Sequence, residues 1–136
     1  MNKKDLFIFA KDAMKNSYAP YSNYNVGAVL FTKSGKTYKG CNIENASYGA
    51  TNCAERTALF NAVSNGEKDF QAICIVGGKD GVITDYAMPC GICRQALAEF
   101  CDGDFKVYLG TNEDDIKEFT LNELLPYSFN KTKLGD

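Results

Sequence analysis

Two cysteine-containing motifs hold the residues whose types and spacing could do chemistry. Cys90 and Cys93 form a C-x-x-C pattern, and Cys53 is followed two residues later by Glu55. Thiolates at such spacing bind metals or act as a redox pair, and a carboxylate nearby can move protons. The chain contains no histidine, so Ser-His-Asp and Cys-His nucleophiles are excluded. Catalysis would therefore depend on carboxylates, thiols, lysine, tyrosine or a metal held by Cys or Asp/Glu.

Each of these motifs lies at the predicted start of a helix. Asn52 is predicted to cap a helix that runs to about Ser64, and Pro89 opens a second helix that ends near Asp102. The apolar run 72–76 between them is typical of a buried strand. Helices that cross over between strands begin at one edge of an α/β sheet, where ligands bind. The three thiols are therefore expected to converge on one metal, with the carboxylate beside them.

The remaining pattern predicts one α/β domain spanning residues 1–136, with a partly parallel sheet covered by helices. A loop is expected over 77–88. The other predicted elements are a helix at 4–16, a hairpin of strands 26–32 and 36–43 around Ser34-Gly35, a strand at 105–109, and a short helix opened by the Thr120-x-x-Glu123 capping box.

Composition and charge exclude several classes of protein. A net charge of −2 argues against binding to nucleic acid, which needs a basic face. The first apolar run breaks at Lys11 and is too short for a signal peptide or a membrane span. These features predict a cytoplasmic chain with no membrane partner. Cysteines in that compartment are metal ligands, catalytic groups or small buried residues more often than disulfides.

The motifs taken singly leave alternatives open. The C-x-x-C pattern fits a redox pair, half of a structural zinc site or a catalytic metal site equally well. Glu55 could be a helix cap, because Asn52-x-x-Glu55 has the spacing of a capping box. Cys53 alone could be a small buried apolar residue.

A fourth cysteine ligand would make a metal site structural rather than catalytic. Cys101 follows Cys93 by eight residues, about 12 Å along a helix, which is too far for both to bind one zinc ion. Cys41 and Cys74 lie in predicted strands without a spacing that indicates a shared site. All three are interpreted as packing residues. Three protein ligands would leave one position open for water, as in catalytic zinc sites.

Taken together, the motifs resemble the cytidine deaminase family, in particular its small homotetrameric zinc-dependent enzymes. The resemblance covers nearly the whole chain and is carried by several motifs in order, which are Ala19-Pro20-Tyr21-Ser22, residues 40–46 (GCNIENA), Cys53-Ala54-Glu55-Arg56, residues 89–95 (PCGICRQ) and residues 123–126 (ELLP). It implies a three-layer α/β/α fold, with helices on both faces of a mixed five-stranded sheet.

The resemblance also implies a reaction. Cys53, Cys90 and Cys93 would hold one zinc ion per subunit, and Glu55 would transfer protons. Cytidine and 2′-deoxycytidine would be converted to uridine and 2′-deoxyuridine plus ammonia, in pyrimidine salvage. Arg56 would donate to the zinc-bound thiolates and offset their negative charge. The alternative for Arg56 is a solvated helix arginine.

Six residues match family positions that bind the nucleoside, which are Tyr24, Asn42, Glu44, Tyr48, Ala54 and Phe129. Asn42 and Glu44 would bind the ribose, and the carboxylate would repel a phosphate, which favours a nucleoside over a nucleotide or nucleic acid. Both could instead form a solvated loop pair. Tyr48 and Phe129 would contribute to active sites shared between the subunits of a homotetramer, with ordinary packing as the alternative.

The sequence departs from the family pattern at several positions. Tyr24 stands where the family usually has Phe, Met88 stands where Ser is common, and the loop 78–87 is longer than usual. Arg94 would lie either at a subunit contact or close to the residues around the metal.

Several alternative functions stay open. They are a thiol redox enzyme, a zinc-stabilised binding module, and a deaminase of free cytosine, a deoxycytidine nucleotide, a base in RNA or blasticidin S.

Overall fold

A computed structural model describes residues 1–135, which form a five-stranded sheet with four α-helices. The helices are α1 (Lys3–Met14), α2 (Ala54–Ser64), α3 (Gly91–Phe100) and α4 (Leu121–Leu124). The strands are β1 (Tyr24–Thr32), β2 (Thr37–Cys41), β3 (Phe70–Lys79), β4 (Lys106–Asn112) and β5 (Asp115–Thr120). Short 3₁₀ turns occupy Tyr48–Ala50 and Lys131–Leu134. Within residues 1–135, no helix combines the length and apolar character needed to cross a membrane.

The sheet is mixed, in the order β2-β1-β3-β4-β5. β1 pairs antiparallel with β2 and with β3, β3 pairs parallel with β4, and β4 pairs antiparallel with β5. The parallel pair is connected by α3, as a crossover requires. α2 connects β2 to β3, which run in the same direction on either side of β1. Both helices therefore start near the same edge of the sheet.

Helices cover both faces of the sheet. α1 packs its Leu6, Phe7 and Ala10 against one face, which includes Val29 and Cys74. On the opposite face, α2 and α3 form a larger core whose members include Ala58, Leu59, Leu97, Leu30, Ile73, Ile75 and Val107. Alternate residues of β3 face the two layers, as strand geometry dictates. The predicted three-layer α/β/α fold is confirmed.

A glycine allows α2 to lie close to β2. A Cβ atom at Gly40 would lie 2.3 Å from the backbone nitrogen of Ala58, so no side chain fits there without moving the helix. This close approach places the start of α2 beside the chain that leaves β2. Asn42 and Glu44, which follow β2, are thereby brought to the same region as Cys53.

The structure corrects two local predictions. The α2 helix is capped by Cys53 rather than by Asn52, whose amide donates instead to Thr57 Oγ1 at 3.0 Å. With Cys53 at the cap, Glu55 is not at the capping-box position, so the helix-cap alternative for Glu55 is wrong. The sequence pattern also missed β5 as an element, although the family resemblance implied five strands. Three of its six residues, DIKEFT, are charged, as is common in an edge strand.

Candidate active site

The starts of α2 and α3 bring three cysteines together. Cys53 and Cys90 are the N-cap residues of the two helices, and Cys93 lies in the first turn of α3. Their Sγ atoms all lie within 4.8 Å of one another, and those of Cys53 and Cys90 are 3.7 Å apart. Within residues 1–135 no fourth cysteine or carboxylate joins this group. We call these three residues the cysteine cluster.

The cysteine cluster fits a zinc ion. Zn–S bonds of about 2.3 Å in a tetrahedral site place two sulfurs about 3.8 Å apart, which matches the spacing of Cys53 and Cys90. Cys93 is buried and Cys90 is exposed, so the cluster is open on one side. Cys74 faces the α1 layer and Cys101 caps the far end of α3, so neither reaches the cluster. The arrangement is that of a site with three protein ligands and one open position.

The thiols of the cysteine cluster share protons. Hydrogen bonding to Cys93, with help from Arg56, lowers the pKa of Cys53 to about 5. The same hydrogen bond, together with burial, raises the pKa of Cys93 far above its usual range. Within this pair Cys53 therefore carries the negative charge and Cys93 keeps its proton, as interacting acids do. Zinc binds the thiolate form of cysteine, so a bound ion would displace that proton.

Arg56 is the charged neighbour of the cysteine cluster. Its Nη2 donates to Cys53 Sγ at 3.6 Å from the same turn of α2. Its Nε is buried and has no hydrogen-bond partner among residues 1–135. The side chain is partly buried, so the reading as a freely solvated helix arginine is wrong. Its charge offsets part of the negative charge that the thiolates would carry.

Glu55 is the buried acid of the site. It is only 4% exposed and follows Cys53 in the first turn of α2. Burial raises the pKa of its carboxyl to about 7, and the charge of Cys53 acts in the same direction. A carboxyl that titrates near neutral pH can both accept and donate a proton during a reaction.

A cavity of about 350 Å³ opens above the cysteine cluster and Glu55. It is large enough for a small organic ligand, since binding cavities in proteins start at about 300 Å³. The cavity is lined by Ser22, Tyr24, Val26, Asn42, Glu44, Thr51, Asn52, Cys53, Ala54, Glu55, Ile75, Ala87, Met88 and Cys90. We call this the main cavity. Four of the six residues predicted to bind a nucleoside therefore share it with two cysteines and the acid.

Glu44 is held as an ionised side chain at the wall of the main cavity. Its carboxylate accepts hydrogen bonds from the backbone N–H groups of Tyr21 at 2.9 Å and Ser22 at 3.1 Å, and from the Ser22 hydroxyl. The hydrogen bonds from Ser22 lower the pKa of Glu44. Glu44 therefore lies in a loop, as predicted, but its carboxylate is held by three hydrogen bonds from Tyr21 and Ser22.

Asn42 is buried and organises the start of β1. Its Oδ1 accepts from Val26 N–H at 2.9 Å and from the Ser17 hydroxyl, and its Nδ2 donates to the Tyr24 carbonyl at 2.7 Å. An amide NH₂ group has two hydrogens, so one remains for a ligand. The sequence did not indicate this structural role.

The other two predicted nucleoside-binding residues lie outside the main cavity. Tyr48 is 78% exposed and contacts Tyr21 edge to face, with ring centres 6.2 Å apart. It lines a neighbouring groove that shares Glu44 with the main cavity. Phe129 is 63% exposed, and its carbonyl accepts a hydrogen bond from Gln95 Nε2 at 2.7 Å. Within the described chain, these two aromatic rings do not complete the cavity.

Sequence reasoning missed several residues of the site. Ala87 and Met88 line the main cavity from the loop before α3. Met88 was singled out only as a departure from the family pattern, and no local pattern marked Ala87. Ser22 was quoted within a family motif but had no assigned role. Arg94 donates to the carbonyls of Pro89 at 2.8 Å and Leu124 at 2.7 Å. Arg94 therefore stabilises the turn before α3, and its hydrogen bonds go to backbone carbonyls and not to a thiol.

Comparisons with known proteins agree with this geometry. The family model described as the cytidine and deoxycytidylate deaminase zinc-binding region matches residues 1–110. The chain belongs to this deaminase family. Its relatives include a cytidine deaminase of Halalkalibacterium halodurans, 48% identical over 136 residues that cover 100% of both chains. Another relative is a cytidine deaminase of Sporosarcina psychrophila, 46% identical over 135 residues that cover 99% of this chain and 96% of the relative.

A solved deaminase structure has the same fold. The 1.6 Å crystal structure of cytidine deaminase from Burkholderia pseudomallei superposes with a TM-score of 0.86 at 45% identity, covering 95% of this chain and 100% of that one. The predicted family, fold and enzyme class, a hydrolase of the cytidine deaminase type, are confirmed. The zinc-binding family region and the cysteine cluster both support zinc as the metal.

Proposed function

We propose that this chain converts cytidine and 2′-deoxycytidine to uridine and 2′-deoxyuridine with release of ammonia, in pyrimidine salvage. The observation that carries the proposal is the placement of the cysteine cluster and the buried Glu55 in one cavity that also holds Asn42 and Glu44. The names of the relatives at 46% and 48% identity support the same substrate class.

Cys53, Cys90 and Cys93 would hold one zinc ion per subunit, which when bound lowers the pKa of a water molecule so that it can attack near neutral pH. Glu55 takes a proton from the attacking water and passes it to the ring nitrogen N3. Glu55 then takes the proton of the new C4 hydroxyl and delivers it to the amine at C4. The C4–N bond breaks, ammonia leaves, and the C4 oxygen becomes a carbonyl. A buried carboxyl with a pKa near 7 suits both directions of transfer.

The walls of the main cavity would select a nucleoside. The Tyr24 ring offers an aromatic face for the pyrimidine, and Ala54 lines the cavity next to Glu55. The remaining amide hydrogen of Asn42 and the oxygens of Glu44 are suited to sugar hydroxyls. The ionised Glu44 disfavours a phosphate at that end. Nucleotides and nucleic acids are therefore expected to be poor substrates.

We also propose a single-domain subunit that works in the cytoplasm as a homotetramer. Tyr48 and Phe129 are exposed in one chain although the family pattern places them at shared active sites. Two further apolar side chains, Phe60 and Ile92, are exposed on α2 and α3 near Arg56. Contact with neighbouring copies would cover these four apolar side chains. Cysteines stay reduced in the cytosol, which suits thiolate metal ligands.

The direct test is the loss of ultraviolet absorbance when the purified protein is incubated with cytidine, with and without a strong chelator. Loss that yields uridine and stops on zinc removal supports the proposal. A folded, zinc-loaded protein that leaves both nucleosides intact contradicts it and favours another cytosine-containing substrate. A metal-free protein whose Cys90 and Cys93 titrate with a two-electron reductant would instead support the redox alternative.

A further inference from the structure

One wall of the main cavity is formed by a segment that lacks backbone support. β3 ends at Lys79, and the turn after it is fixed by the hydrogen bonds Asp80 N–H to Asn23 O at 2.6 Å and Val82 N–H to Lys79 O at 3.0 Å. Among the described residues, no backbone–backbone hydrogen bond reaches 83–88. The position of this segment therefore depends on its side chains.

Tyr86 provides the polar anchor of the segment. Its hydroxyl donates to Asp115 Oδ1 at 2.5 Å, at the first residue of β5. The Lys117 ammonium lies 4.5 Å from the centre of the Tyr86 ring, within the range of a cation–π contact. Asp115 is itself fixed, because its other oxygen accepts from the Thr111 hydroxyl at 2.5 Å. Tyr86 thus ties the loop to the edge of the sheet, while Ile83 at the start of the segment packs against the core under α1.

The two residues that follow Tyr86 form the cavity wall. Ala87 is buried and packs so closely on β3 that a Cβ at Gly77 would lie 3.2 Å from its own Cβ. Ala87 and Met88 both line the main cavity. A displacement of Tyr86 would therefore change the width of the cavity directly.

The metal ligand beyond this wall has a separate anchor. Pro89 is fully buried, and its carbonyl accepts a hydrogen bond from Arg94 Nε at 2.8 Å. Cys90 then caps α3, whose Arg94 N–H bonds to the Cys90 carbonyl at 3.0 Å. Loss of the Tyr86 contact is therefore expected to move Ala87 and Met88 while leaving the cysteine cluster in place.

We propose that Tyr86 is a positioning residue: its hydrogen bond to Asp115 sets the Ala87–Met88 wall and thereby the affinity for the nucleoside. The inference rests on the proposed function, since the ligand is the same nucleoside. It assigns a role in substrate binding to the long loop before α3, which carries no residue of the reaction itself.

The test compares Tyr86→Phe, Asp115→Ala and the double variant with wild-type protein by cytidine kinetics, zinc content and melting temperature. Each single variant is expected to raise KM about three- to tenfold, the effect of one lost hydrogen bond. The change in kcat is expected to stay within about twofold, with full zinc content. Because both changes break the same contact, the double variant should match the singles. Tyr38→Phe, which removes a hydroxyl bonded to Glu67 far from the cavity, should leave KM unchanged.

Three results would overturn the inference while wild-type turnover remains intact. These are an unchanged KM in Tyr86→Phe, additive effects in the double variant, and a loss of zinc that shows the contact supports Cys90 instead. A zinc-loaded wild-type protein that does not turn over cytidine would overturn the proposed function together with this inference.

Discussion

The cysteine cluster and the two exposed aromatic residues, Tyr48 and Phe129, are built in opposite ways. The cluster is complete within one chain, because the starts of two helices hold its three sulfurs within 4.8 Å. Tyr48 lies in a short 3₁₀ turn and Phe129 in an irregular segment, and both are largely exposed to solvent. The difference indicates that the groups proposed to react are fixed by the fold of one chain. In the proposed homotetramer, part of the substrate enclosure would come from a neighbouring subunit.

The largest effect is expected from removing a ligand of the cysteine cluster. Cys93→Ala should lose zinc and reduce cytidine turnover to background, because two thiolates and water bind the metal far more weakly. Zinc content by mass spectrometry and turnover measure this. Cys101→Ala, at the other end of α3, is the matched control and should keep its zinc. An active Cys93→Ala variant would show that the metal site lies elsewhere.

The next largest effect should come from the buried acid. Glu55→Gln preserves the size of the side chain but cannot transfer protons, so kcat should fall about a hundred- to ten-thousandfold. Zinc content should not change, because Glu55 is not a member of the cysteine cluster. Glu99→Gln, on the exposed surface of α3, should retain wild-type kinetics. A Glu55→Gln variant within tenfold of wild-type kcat would remove Glu55 from the mechanism, given the usual range of about 10²–10⁴ for such groups.

Arg56 should have an intermediate effect. Arg56→Ala removes the guanidinium that lies 3.6 Å from Cys53 Sγ, so the thiolates would weaken the metal as a Lewis acid. We expect kcat to fall about 10- to 100-fold, the usual range for partners of metal ligands. Arg56→Lys should recover part of this loss, since it restores the charge. Unchanged activity of Arg56→Ala at normal zinc content would refute the role.

The smallest effect should come from the exposed aromatic residues, where the two regions differ most. Phe129→Ala should raise KM by about three- to tenfold in assembled protein if its ring lines a neighbour's cavity, with kcat less affected. Tyr127→Ala, two residues away and fully exposed, is the control. Sedimentation of both variants checks that assembly persists. An unchanged KM in an intact assembly would confine Phe129 to packing.

The predictability of the site follows from how far apart in the chain its contacts are. The cysteine cluster and Glu55 were predicted because each motif lies within a few residues of a helix start, and crossover topology brings such starts together. Asn42 was assigned only to a ligand, although its side chain bonds to Val26 and Ser17, which no local pattern shows. Tyr86 and Asp115 are 29 residues apart, and their contact depends on β5, a strand too polar to recognise by alternation.

The most direct test of the central claim is the source of the oxygen in the product. Zinc-loaded protein would be incubated with cytidine in ¹⁸O-labelled water, and the product examined by mass spectrometry. The account predicts uridine with one ¹⁸O at C4 and an equal amount of ammonia, and none of either from Cys93→Ala. Uridine that forms without solvent oxygen, or a folded zinc-loaded protein that forms no uridine, would contradict it.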